Sequence, residues 1–289
     1  MLNVLAEPRP ATTYRGERVA LLTQHGKERV LGPLFRDELG ASVELVGGYD
    51  TDQLGTFTRE VPRAGSQLEA ARTKALLAIE LSGLPLAVAS EGAFTPGPLG
   101  LGCWNDELVV LVDRSRGLEI VGRSSAPGHH THAIVADLER LHEAARRAEF
   151  PEHALVLRPD REDDPRCRKG IRSWRDLDRE FLAVRDESAT GKVFVENDLR
   201  AHVHPSRMVN IAAAARDLLS RVRTPCPACG APGFGLVKTL AGLPCRECDA
   251  PTSQARADEH GCVACAYREV RARADVSAAE PFHCSDCNP

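Results

Sequence analysis

The chain has 289 residues, 43% of them hydrophobic and 27% charged, with a formal net charge of -4 and ten cysteines. That is enough for one sizeable core plus a small appendage, and no apolar run approaches the roughly 20 residues that cross a bilayer. The near-neutral balance gives no general attraction to a polyanion such as nucleic acid.

Residues 1–16 carry two prolines and no periodic pattern, and are expected to be a loose extension. The apolar run at 18–23 predicts a buried strand, and the spacing over 28–39 an amphipathic helix. Between them Gln24, His25, Gly26 and Lys27 make a strand-to-helix turn. Free backbone N–H groups beside a lysine can hold a phosphate; a plain connection is the alternative. A second strand over 42–46 runs into Gly47 and Gly48, then a polar stretch at 49–65 that lacks periodicity and reads as a functional loop or lid.

Ser66 with Glu69 three residues on is a capping box. The helix it opens has Leu68, Ala71, Ala75, Leu76 and Ile79 on one face, with Arg72 and Lys74 in its early turns. The next strand, 84–89, ends at Ser90, Glu91, Gly92 and Ala93. A carboxylate there stands where open α/β sheets take their ligands; a solvated turn glutamate is the alternative. Strands over 107–113 and 118–122 are joined by a hairpin turn at 114–117. His129, His130 and His132 precede a helix expected over 132–147 and read as loop residues, not ligands. A short strand at 154–157 and a helix at 174–184 follow, and Cys103 and Cys167 stand apart as free thiols.

Within 192–207, a strand extended through His204 puts Glu196, Asp198, Arg200, His202 and His204 on one face by alternation. Two carboxylates at that spacing can share a divalent cation, and Arg200 could clamp a phosphate. An edge strand defended by charge is the alternative. Pro205 is expected to stop the strand before an alanine-rich helix at 208–222.

The C-terminal stretch holds four Cys-x-x-Cys knuckles: Cys226/Cys229, Cys245/Cys248, Cys262/Cys265 and Cys284/Cys287, with 15, 13 and 18 residues between successive pairs. This is structural-zinc spacing, since each knuckle offers two thiolates and two knuckles complete a tetrahedron. The first residues have no apolar core of signal-peptide length, so a reducing cytoplasm, and metal-bound thiolates in place of disulfides, are expected. Two structural ions follow. Consecutive pairing (Cys226, Cys229, Cys245, Cys248; then Cys262, Cys265, Cys284, Cys287) is the expected arrangement, with an interleaved cross-brace as the alternative. Residues 223–289 hold seven Arg or Lys and eight Asp or Glu, so the ribbons lack a basic excess.

The segments GSQLEAARTKA, VENDLRAHVHPSRM, CPACGAPGFG and CSDCNP resemble an uncharacterised bacterial family that carries a domain-of-unknown-function label. Residues 18–125 are also similar to the house-cleaning nucleoside-triphosphate pyrophosphatases of the inosine/xanthosine type. Strand, lysine-bearing turn, helix, strand, long loop, EAARTKA helix, SEGAF strand end and hairpin follow in that family's order. The resemblance implies that Lys27 and Lys74 contact a triphosphate and that Glu91 binds Mg2+.

The expectation is an α/β domain over 17–222, a mixed sheet flanked by helices, followed by a double zinc ribbon over 223–289. The leading function is a magnesium-dependent nucleotide phosphohydrolase. Glu91, with Glu196 and Asp198, would hold Mg2+, while Lys27, Lys74 and Arg200 would stabilise phosphate charge. A nucleotide or other phosphate-bearing small molecule is the expected ligand, with no membrane partner. The rival is a non-enzymatic adaptor whose ribbons bind RNA or protein.

Overall fold

The computed structural model describes residues 14–54, 65–97, 100 and 102–288. Most of the expected N-terminal extension, and residues 55–64 of the expected loop, lie outside the described residues. The chain divides into two compact units. One combines Tyr14–Arg116 with Val121–Leu218, and the other combines Leu219–Pro289 with Gly117–Ile120.

The larger unit is mixed α/β and contains two sheets where one was expected. The first has the order β2-β1-β3-β4-β5, formed by Ser42–Val46, Arg18–Leu22, Leu86–Pro96, Cys103–Asp113 and Leu118–Pro127. The β1–β2 and β1–β3 pairs are parallel, and β3–β4 is antiparallel along its whole length. Helix α1 (Glu28–Leu39) makes the first crossover, buries Leu31, Phe35 and Leu39, and ends at Gly40 in the left-handed conformation. Helix α2 (Gln67–Ser82) starts from the predicted capping box, with Ser66 and Glu69 bonded reciprocally. Its alanine face, Ala71, Ala75 and Ala78, packs with Ala20, Leu22, Ala87, Ala89, Leu108 and Val110 of the sheet. Small side chains here let helix and sheet approach closely.

The second sheet, β6-β9-β7-β8, uses His132–Val135, Val193–Asn197, Leu155–Pro159 and Arg168–Ile171, all antiparallel. Helices α3 (Leu138–Arg147) and α4 (Trp174–Asp186) cover it, with Leu141, Phe150, Leu177, Phe181 and Val184 filling its core. Asp137 and Ser173 cap the two helices, accepting from Arg140 N and Asp176 N. The helix expected from about His132 begins six residues later, because 132–135 pair with β9 as a strand. Pro205 opens helix α5 (Pro205–Val222), the position where a missing N–H costs nothing. On β5, a Cβ at Gly122 would collide with the backbone of Ala214 and Leu218 in α5, so only glycine allows that approach.

The C-terminal unit is an antiparallel meander, β10 (Gly235–Ala241), β11 (Ala255–Gly261) and β12 (Arg268–Ala272), with knuckles at its turns. The first two knuckles are copies. In each, the first cysteine's N–H bonds to the alanine carbonyl at the knuckle's far side, Cys226 to Ala231 and Cys245 to Ala250, both at 2.8 Å. The residue after the second cysteine of each lies at positive φ, as Gly230 in one and Asp249 in the other.

Candidate functional site

Eight cysteines gather into two clusters that could hold metal: Cys226, Cys229, Cys262 and Cys265, and Cys245, Cys248, Cys284 and Cys287. The pairing is interleaved, which corrects the expected consecutive arrangement. The reason is the meander. Each interval between knuckles 1, 2 and 3 contains one strand in place of a returning hairpin, so the chain changes ends at every knuckle. Gly235 pairs with Gly261 at one end of the β10–β11 ladder and Ala241 with Ala255 at the other. Odd knuckles therefore meet at one end and even knuckles at the other. Sulfurs of partner knuckles approach at 3.9 Å (Cys226–Cys265), 3.7 Å (Cys229–Cys262), 3.9 Å (Cys245–Cys287) and 3.5 Å (Cys248–Cys284). Four thiolates about 2.3 Å from a tetrahedral zinc stand about 3.8 Å apart, so the geometry suits zinc. Both sites are closed, with no place for a substrate.

In the larger unit, three predicted residues come together from distant parts of the chain. Lys27, following β1, is buried and donates from Nζ to the Ser90 carbonyl at 2.9 Å on β3. Lys74 on α2 forms an ion pair with Glu91, the next residue of β3. Glu91 lies inside β3, not at its end as expected, because the strand continues to Pro96 on full pairing with β4. Burial pushes the Lys27 ammonium down to about 8, opposed by Glu91 and reinforced by Lys74 and Arg207. Gln67, in the first turn of α2, donates to the carbonyls of Glu91 (2.7 Å) and Asp106 (2.9 Å) and ties that helix to β3 and β4.

Two participants were not foreseen. Arg207, fully buried in α5, donates from Nε to Glu107 Oε1 at 2.7 Å and reaches the Leu199 carbonyl. Glu107 Oε1 also accepts from Asn105 Nδ2 at 3.0 Å, while its Oε2 is buried with no hydrogen-bond partner among the described residues. Gly92 is explained by this pair: a Cβ there would strike the Arg207 guanidinium and the Glu107 carboxylate. Glu107 also borders a cavity of about 320 Å3 with Gln67, Asp106, Arg123, Ser124 and Ser125. An arginine following the Pro205 helix start was the available sequence signal for a buried pair.

Glu196, Asp198 and Arg200 do not join this cluster. Strand β9 ends at Asn197 and a short 3-10 turn covers Ala201–Val203, so the expected five-residue column does not form. Glu196 is buried against Arg158 of β7, with His130 Nε2 at 3.4 Å from its other oxygen. Asp198 is fully buried, accepts from Gly170 N at 3.0 Å and holds Arg200 through Nη2 at 2.6 Å. Glu196 pairs with Arg158 and Asp198 with Arg200. The resulting links are structural: β9 to β7, and the end of β9 to β8.

Residues 74–289 match a family described as a domain of unknown function, DUF6671. The chain belongs to that family. The DUF6671 span opens at Lys74 and takes in Glu91, Glu107, Arg207 and all eight knuckle cysteines, while Lys27 precedes it. No curated protein and no solved structure matches the chain, so the pyrophosphatase likeness rests only on the residues quoted for it. No described helix is long and apolar enough to cross a membrane. In chemical terms the described residues of this DUF6671 chain form two closed thiolate sites and a partly buried cluster in which Lys27, Lys74 and Arg207 lie with Glu91 and Glu107.

Proposed function

We propose that the Lys27–Lys74–Glu91 cluster binds the phosphates of a nucleotide and that the protein is a metal-dependent nucleotide phosphohydrolase. The observation that carries this reading is that residues 27, 74 and 91 meet beside the carboxyl end of parallel β1. This is where open α/β sheets bind ligands. With Arg207 and Glu107 included, cations exceed carboxylates by one among the described residues of this cluster, which favours an anion.

Lys27 is pre-set by its bond to Ser90 O, and Lys74 can exchange Glu91 for phosphate oxygens. Magnesium in such reactions is held largely by the phosphates with one or two carboxylates, and neutralises phosphate charge. Glu91, buried and already engaged by a cation, would supply the carboxylate here. The roles first expected of Glu196, Asp198 and Arg200 are not retained. Two zinc ions in the cross-braced clusters would hold the C-terminal unit rigid.

The test is calorimetric titration of a nucleoside triphosphate panel with Mg2+ or Mn2+, followed by assay of phosphate and pyrophosphate release. Binding that weakens at least about tenfold in Lys74→Ala is expected. No binding and no release from zinc-replete protein would remove the proposal. The adaptor reading would then stand. It is favoured by exposed apolar side chains on the C-terminal unit, Val237, Val263, Val270 and Phe282, which with a near-neutral charge suit a protein partner better than RNA.

A further inference from the structure

Three side chains of the larger unit that neither the zinc clusters nor the phosphate cluster uses converge at one place. His129 lies between β5 and β6, Glu149 follows α3, and His153 precedes β7. One ligand atom from each lies within 4.8 Å of the others. Glu149 Oε2 is 3.5 Å from His153 Nδ1, and Glu149 Oε1 is 3.7 Å from His129 Nδ1. These separations are too long for good hydrogen bonds, which fall at about 2.7–3.2 Å. They are close to the roughly 3.4 Å between two ligands each about 2.0–2.1 Å from a tetrahedral ion.

The surrounding hydrogen bonds fix which nitrogen of His153 faces the carboxylate. His204 Nε2 lies 2.8 Å from the His129 carbonyl oxygen, which can only accept, so the His204 proton sits on Nε2. On that tautomer His204 Nδ1 accepts from the Ser206 hydroxyl at 3.1 Å. That uses the one proton of Ser206, and its oxygen then accepts from His153 Nε2 at 3.1 Å. His153 is left with the lone pair of Nδ1 turned toward the Glu149 carboxylate. This nitrogen is buried, on a side chain 6% exposed, and has no hydrogen-bond partner among the described residues. A lone pair facing a carboxylate is repulsive unless a cation stands between them.

We propose that His129, Glu149 and His153 form a third metal site, for a zinc-type first-row divalent ion, with a fourth position open to water or a small anion. Two imidazoles and one carboxylate are the donor set of open zinc centres, unlike the closed four-thiolate clusters. Ser206 and His204 supply the outer bonds that hold a ligating imidazole in one tautomer. The Glu149 side chain is 61% exposed, which leaves the open position facing solvent.

The test is titration of the full-length protein, its thiolate sites already loaded, with Co2+ and with Zn2+. A further equivalent should bind without adding to the thiolate-to-cobalt charge-transfer absorption. His153→Ala should abolish this equivalent while both thiolate sites remain loaded and the far-ultraviolet circular dichroism is unchanged, which reports that the larger unit is still folded. Glu149→Gln, at an exposed position, should weaken it at least about tenfold, and Ser206→Ala by about 10- to 100-fold as an orienting partner. Saturation at the two thiolate ions, or an unaltered third equivalent in Glu149→Gln and His153→Ala, would overturn the site.

Discussion

Replacing Cys229 by alanine should weaken one zinc site and leave the other intact, and the identity of the cysteines that become reactive reads the pairing directly. In the cross-brace Cys229 shares its ion with Cys226, Cys262 and Cys265. Strand β10 has seven residues, and at about 3.4 Å per step its ends lie about 20 Å apart. Two sulfurs on one zinc are at most about 4.6 Å apart, so no knuckle can recruit a replacement thiolate from the far end. Structural zinc binding is worth about 10–16 kcal/mol at neutral pH. Shared evenly over four thiolates, loss of one is about 3 kcal/mol, or about a hundredfold in affinity. Phe234 and Tyr267 pack with Cys226 and Cys262, so that end should also loosen. Pulsed alkylation read by mass spectrometry should find Cys226, Cys262 and Cys265 labelled while Cys245, Cys248, Cys284 and Cys287 stay protected. Labelling of Cys245 and Cys248 with Cys262 and Cys265 shielded would refute the reasoning.

Three further outcomes are expected. Lys27, with its pKa lowered to about 8, is charged below that pH and neutral above it. Nucleotide affinity should therefore fall about tenfold between pH 7 and 9 and hold level in Lys27→Arg; equal profiles by calorimetry would refute this. The same lowering acts on stability. The unfolded lysine stays charged to about pH 10.4, so below about 8 the fold keeps a buried charge at a cost that disappears as pH rises from about 8 to 10. Arg207→Ala leaves Glu107 buried without its guanidinium and should lower unfolding free energy by about 3–5 kcal/mol in urea; a loss under about 1 kcal/mol would deny the pair its structural role. Glu196→Gln removes the charge partner of buried Arg158 and should cost a similar 3–5 kcal/mol or so, yet leave Mg2+–nucleotide binding unchanged, whereas a cation-binding Glu196 would change both.

What could be read from the chain was what is decided within a few residues. The Ser66 capping box, the α1 boundaries, strands β1 and β2 and the eight thiolates each depend on local spacing, and each stands where its spacing put it. The second sheet was missed because its edge strands lack strand signals. Arg168–Ile171 is half-buried and polar, and His132–Val135 looks like the tail of a histidine loop. The repeat TPCPACGAP and LPCRECDAP was visible, and its near-equal intervals gave no way to tell a linker from a ribbon. Only the direction of each intervening strand decides the pairing, and direction is a property of the sheet.

The charged residues show the same division more sharply. Reading Glu196, Asp198 and Arg200 as one face assumed that the strand continued and that their partners were absent, but each buried charge already had one. Arg158 stands at the fourth position of LVLRP, a strand buried at every residue. An arginine in such a run has to meet a carboxylate, because a lone buried charge costs several kcal/mol. That signal marked Glu196 as a structural partner, just as Arg207 in PSRM marked Glu107. Lys27 and Lys74 differ. They are adjacent like charges with Glu91 between them, and burial lowers the Lys27 pKa in place of recruiting a dedicated carboxylate. A cationic surplus held at a strand end is what an anionic ligand would relieve. Paired guanidiniums build the fold, and the two lysines gathered about Glu91 are where chemistry is to be sought.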